Sequence, residues 1–145
     1  MRHRLPPIFS LVPSALLAGL IGCGNFLGPE DFKTARVEGK VRVGSQSVTG
    51  GFIEFLPTDG TVGIMRSAPI KPDGTFVVDH APVGRNAVGI FSGKLPRRLS
   101  NDFNALGTPI RRTVTDAPSA PLDIDLLEEE ASLQLLRDRA SGRTR

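Results

Sequence analysis

Few side chains in this 145-residue chain could carry chemistry, and they are widely spaced. The single cysteine is Cys23, so no disulfide can form within the chain. A lone thiol serves as a reactive group, an intermolecular partner or the acceptor of a covalent modification. His80 lies in Val78-Asp79-His80-Ala81, and an Asp-His pair invites a dyad or a metal site. On a strand, however, adjacent side chains point to opposite faces and cooperate badly. The only other histidine is His3, so a zinc ligand set is missing. Asp123 and Asp125 share a face, with Glu128, Glu129 and Glu130 behind them. No EF-hand spacing supports a cation there, and a solvated acidic edge is expected. Neither a G-x-S-x-G elbow nor a phosphate-binding glycine loop occurs. No enzymatic activity, metal or cofactor is therefore expected. Lys94, Arg97, Arg98, Arg111 and Arg112 gather in one part of the sequence. They read either as an ordinary solvated loop or as a contact surface for anionic lipid head groups or an acidic envelope polymer.

The position of Cys23 narrows its role. Arg2, His3 and Arg4 form a positive start, and Leu5 to Ile21 runs without a charge. As a membrane-spanning helix this run is short against the roughly 20 apolar residues required. Pro6, Pro7 and Pro13 would also weaken a helix through its first half. A positive start, a short apolar centre and small residues before a cut describe an export signal instead. Leu20-Ile21-Gly22-Cys23 resembles the bacterial lipobox, in which the thiol accepts diacylglycerol and cleavage precedes the cysteine. The resemblance implies cleavage between Gly22 and Cys23, lipidation of Cys23 and often acylation of the freed amine. Two or more chains hold a protein on a membrane, whereas one binds marginally. Gly24 follows where an aspartate would imply inner-membrane retention, which leans towards the outer membrane.

Loss of this leader changes the charge balance. The whole chain has a formal net charge of +3 and a pI near 9.6, but removing Arg2 and Arg4 leaves 16 basic against 15 acidic side chains, or +1. No basic stripe interleaved with aromatics is present, so no nucleic-acid partner is expected. Sugar stacking uses Trp and Tyr, and the chain has neither.

The remaining sequence must supply the scaffold. Gly24 to Thr34 reads as a tether spanning at most about 40 Å. Ala35–Val43 alternates: Val37, Val41 and Val43 share a face with Gly39, and Arg36, Glu38, Lys40 and Arg42 take the other. Further strands are expected over Gly51–Leu56, Met65–Ile70, Thr75–Asp79, Arg85–Phe91, Pro109–Thr115 and Pro121–Leu126. Lys71-Pro72-Asp73-Gly74 predicts a hairpin, because proline pre-sets φ and glycine accepts positive φ. Ala81-Pro82-Val83-Gly84 predicts another turn. Ser92–Thr108 is expected to be a long irregular loop, and loops of that length are often functional. Seven short strands at about ten-residue spacing predict an all-β, seven-stranded antiparallel β-sandwich.

The pieces Val37-Glu38-Gly39-Lys40-Val41, Val48-Thr49-Gly50-Gly51-Phe52-Ile53-Glu54-Phe55-Leu56-Pro57, Pro72-Asp73-Gly74-Thr75-Phe76 and Ala81-Pro82-Val83-Gly84 occur in that order. Together they resemble transthyretin-like or carboxypeptidase regulatory-like domains, which are abundant in small lipoproteins of planctomycete type. The resemblance covers Val37 to Leu126 and implies a fold, not an activity. Asn86 stands where the family has an aromatic, and Gln46-Ser47 replaces the common proline before the valine. The first change is expected to loosen its strand.

Beyond the strands, 127–140 reads as a short helix. Asp125 with Glu128 resembles a capping box. Glu128 to Glu130 at the start and Arg137 and Arg139 at the end complement the helix dipole. The helix either packs on the sandwich edge or docks a partner. The expected organisation is a leader over 1–22, a lipidated cysteine and tether over 23–34, a sandwich over 35–126, the helix, and a flexible tail over 141–145. The expected role is a membrane-anchored, non-enzymatic envelope protein that is structural or interacts with other proteins. The alternative is a module binding a peptide, glycan or anionic envelope polymer through the 92–108 loop.

Overall fold

The computed structural model describes residues 32–104 and 107–142. The first strand, β1 (Thr34–Val43), follows the alternation of its sequence, with Val37 and Val41 buried and Arg36, Glu38 and Lys40 exposed. It is the centre of one sheet. The two-residue β2 (Gln46–Ser47) folds back on its end, and β5 (Thr75–Pro82) pairs with it antiparallel. On its other edge lies β8 (Leu122–Asp125), because Gly39 and Lys40 are paired with both β5 and β8. The second sheet has the order β4-β3-β6-β7, built from β3 (Phe52–Pro57), β4 (Arg66–Pro69), β6 (Gly84–Phe91) and β7 (Arg111–Val114), all antiparallel.

Three expectations change here. Among the described residues there are eight strands rather than seven, since Gln46–Ser47 adds a short one. The β1–β8 pair is parallel, so the architecture is not wholly antiparallel. Alternation reports which face is buried and is blind to strand direction. The turn at Lys71–Gly74 closes as predicted, with Gly74 N–H donating to Lys71 O at 2.9 Å and Lys71 N–H to Thr75 O at 2.8 Å. It does not make a hairpin, because β4 joins β3 while β5 joins β1. The chain thus passes between sheets at this turn, and again at Val83 between β5 and β6. Burial explains the divergence: Ala68 and Ile70 on one side of the turn and Phe76 and Val78 on the other enter the same core.

That core draws on both sheets. Val37, Val41, Phe76, Val78 and Ile124 come from the first, and Ile53, Phe55, Val88, Ile90 and Val114 from the second. Each such side chain contributes about 1.5–3 kcal/mol when fully buried. Phe55 and Phe76 meet across the two sheets, their ring centroids 6.4 Å apart and tilted by 49°.

The stretch expected to be a long irregular loop is held in place. It contains α1 (Arg97–Asp102), and its Leu99 and Phe103 are buried in the core, as is Ile110 just beyond it. Ile90 N–H donates to Phe103 O at 2.8 Å, and Val88 N–H to Ile110 O at 3.0 Å. The Thr108 hydroxyl donates to Val88 O at 2.7 Å. The segment therefore lies along the edge of β6 instead of projecting from it. Periodicity could not reveal α1, which is shorter than two turns.

Asn86 likewise departs from expectation. It is fully buried, and its Nδ2 donates to Pro82 O at 2.8 Å and Gly84 O at 3.0 Å. It ties together the corner where β5 passes into β6, so the polar side chain fastens this strand rather than loosening it. Its Oδ1 has no hydrogen-bond partner among the described residues.

Candidate functional site

Gly22 and Cys23 lie outside the described residues. The remaining candidates sort into three places.

The first is a charged node at the end of β1. Asp125 caps α2 (Leu126–Ala140), accepting from Leu127 N–H at 3.0 Å, and it also accepts from Gly44 N–H at 2.9 Å. Arg42 reaches it through Nη1, bonds Asp123 through Nε at 3.1 Å, and lies 3.7 Å from Glu128. Burial pushes the Asp125 carboxyl up. The two N–H donors and the Arg42 charge outweigh that and hold it below its ordinary value. The Asp123 carboxylate, followed by the other acids of the node, pushes Arg42 further up. The expected solvated acidic edge is corrected at Asp125, which is buried; Asp123 and Glu128 are exposed as expected, although both face Arg42. The node joins β1, β8 and α2. Among the described residues no group of three His, Cys, Asp or Glu side chains could hold a metal.

The second place holds the five basic residues, which the fold separates by role. Arg98 pairs with Glu130 at 2.7 Å, and Arg112 pairs with Glu129. A third bridge, Arg137 to Asp102 at 3.4 Å, joins α2 to α1 as Arg98–Glu130 does. Arg98 and Arg112 therefore fasten α2 to the body. Arg111 donates to the carbonyls of Thr108 (2.6 Å) and Ile110 (3.2 Å). Lys94 donates to Thr49 Oγ1 at 3.1 Å and lines a depression of about 310 Å³ with Val48, Thr49, Leu95 and Pro96. Arg97 is exposed and has no ion-pair partner among the described residues. His80 is exposed near the end of β5, while its neighbour Asp79 pairs with Arg36 at 2.5 Å. The Asp-His neighbours do not act together.

The third place was not singled out from sequence. A cleft of about 390 Å³ opens beside Gly39, lined by Lys40, Lys71, Thr75, Phe76, Leu122 and Asp123 among others. A Cβ at Gly39 would lie 2.1 Å from Leu122 O and 2.8 Å from the tip of the Phe76 ring. Glycine is required because β8 and the ring both approach its backbone closely. An inward-facing glycine in an otherwise valine-rich strand was the available signal. The rim mixes Lys40 and Lys71 with Asp123 and Glu38, and the Thr75 hydroxyl in the lining donates to Asp73 at 2.7 Å.

No family model, no curated protein and no solved structure matches this chain.

Proposed function

We propose that this chain is an envelope lipoprotein, lipidated on Cys23, whose two sheets form a transthyretin-like β-sandwich that works by contact rather than catalysis. The observation that carries the reading is Leu20-Ile21-Gly22-Cys23 after a positive start and an uncharged run. The spacing agrees with it, since β1 begins at Thr34, a short tether beyond the cysteine. No helix among the described residues is long and apolar enough to cross a membrane. On this reading the anchor supplies membrane attachment, and Gly24 favours the outer membrane. Metabolic labelling with a palmitate analogue in a Gram-negative host tests it. Label is expected on the wild-type chain and none on Cys23→Ser, which should leave the membrane fraction. Labelling of the serine variant, or an unlabelled wild type, would overturn the reading.

A second reading is favoured by one observation: Arg97, exposed and without an ion-pair partner among the described residues, follows Pro96 at the edge of the Lys94 depression. It makes this corner a site for an anionic envelope polymer. Charge reversal of Lys94 and Arg97 should then abolish co-sedimentation with a polyanion such as lipoteichoic acid, and unchanged co-sedimentation would exclude it. Arg98 and Arg112 are unsuitable for this test because they hold α2.

A further inference from the structure

We propose that the loop between β3 and β4 is a second membrane contact, in which Val62, Ile64 and Met65 enter the lipid interface and fix the orientation of the anchored domain. The inference rests on the lipid anchor at Cys23.

The loop is unusual in what it exposes. Val62 is 72% exposed, Ile64 50% and Met65 48%. Three large apolar side chains thus fall within four residues, broken only by Gly63. No core requirement explains them, because the inward residues that flank the loop are Phe55 and Ala68.

Its place in the fold supplies the partner. The Gly63 backbone presses on Pro82 and Phe32: an added Cβ would lie 2.7 Å from Pro82 Cβ and 3.3 Å from Phe32 Cδ2. Thr34 pairs with Pro82, and Val83 N–H donates to Lys33 O at 2.9 Å. The loop therefore sits at the end of the domain from which the chain runs back to the anchor. Phe32 follows Cys23 by nine residues, which span at most about 30 Å. Of the surfaces available to this loop, the bilayer holding Cys23 is the one the covalent chain keeps within reach.

The loop is also presented ready-made. Thr58 N–H donates to Arg85 O at 2.9 Å, and Thr61 N–H to Thr58 O at 3.0 Å. Gly84 packs against Thr61, with room for no side chain between them. The charges around it are already paired, Lys33 with Asp116 at 3.1 Å and Arg85 with Asp59 at 3.2 Å. Approach to an anionic surface thus brings no bare carboxylate against the head groups.

Three side chains would bind a bilayer weakly from solution. Tethering makes the contact intramolecular, and short flexible tethers give effective concentrations of roughly millimolar. A second copy of the chain is the poorer occupant, since one loop offers far less than the about 800 Å² per partner of a stable interface.

The chain contains no tryptophan or tyrosine, so an introduced indole reports alone. Full-length lipidated Ile64→Trp would be reconstituted in vesicles of phosphatidylethanolamine and phosphatidylglycerol with brominated acyl chains. Phe52→Trp, at the opposite end of β3 and 53% exposed, is the reference, and Val62→Trp is a second probe. Bromine quenching is expected to be at least about twofold stronger at positions 62 and 64 than at 52. Equal quenching at the three positions overturns the inference, as does cross-linking of position 64 to a second copy in place of quenching. The mass of the Cys23 peptide separates the two levels. Acylated but unquenched protein removes the loop contact alone, and unacylated Cys23 removes the anchor reading and the loop contact with it.

Discussion

Asp125 does three things at once. It ends β8, caps α2 and neutralises Arg42. Its folded carboxyl titrates below the ordinary value, so its ionised form contributes stability above the unfolded-state pKa. That contribution is lost as pH falls through the lower folded value, which places the loss below about pH 4. Asp73 shifts in the same direction, through the hydroxyl and N–H that Thr75 donates to it, and adds to the same acid limb. Asp125→Asn keeps a capping oxygen and removes the charge. It should cost about 1–2 kcal/mol at neutral pH and flatten the loss below pH 4 relative to wild type. Urea unfolding at several pH values reads both effects; a variant parallel to wild type across the acid limb would show that the charge contributes nothing. Single residues were legible in sequence to different degrees. The cap was visible because Asp precedes a run of acids and leucines at helical spacing. The partnership with Arg42 was not, because it joins positions 83 apart that only the parallel β1–β8 register brings together.

At the scale of elements, α2 differs from everything it touches. Among its residues only Leu126 is buried, while Leu127, Leu135 and Leu136 are exposed. Beyond the Asp125 cap and Leu126, its attachment is the bridges from Arg98, Arg112 and Arg137; the arginines at 98 and 137 are largely exposed, and such pairs contribute about 0–1 kcal/mol each. A 15-residue helix is marginal on its own. Amide exchange should therefore be at least about tenfold faster over 133–140 than in β3 and β6, and faster again in high salt. Equal protection would show that the helix shares the core's stability. Strand positions were readable from β1, β3 and β5, where alternation is clean and each strand has one wet face. The 92–110 segment was not, because its burial comes from isolated anchors. Leu99, Phe103 and Ile110 enter the core as single anchors, and bonds from β6, Ile90 N–H to Phe103 O and Val88 N–H to Ile110 O, add to the short local turns within it.

For the whole molecule, the decisive feature is that the chain leaves one sheet for the other at the Lys71–Gly74 turn and again at Val83. Neither sheet can bury its inward face without the other, so the two are expected to unfold together. Phe55 and Phe76 give the most direct test, because their rings meet across the sheets and both are almost fully buried. Truncating either to alanine removes apolar contact from both walls and should cost about 3–5 kcal/mol. The Phe76 variant should sit high in that range, since its ring also covers the Gly39 backbone. Milder Phe→Leu changes allow a double-mutant cycle. The pair should show a coupling of about 0.5–1.5 kcal/mol, with one cooperative transition by both calorimetry and far-ultraviolet circular dichroism. Additive losses with two separated transitions would mean that each sheet is stable alone. In that case the turn at Lys71–Gly74 would be a hinge between two units instead of a corner of one core.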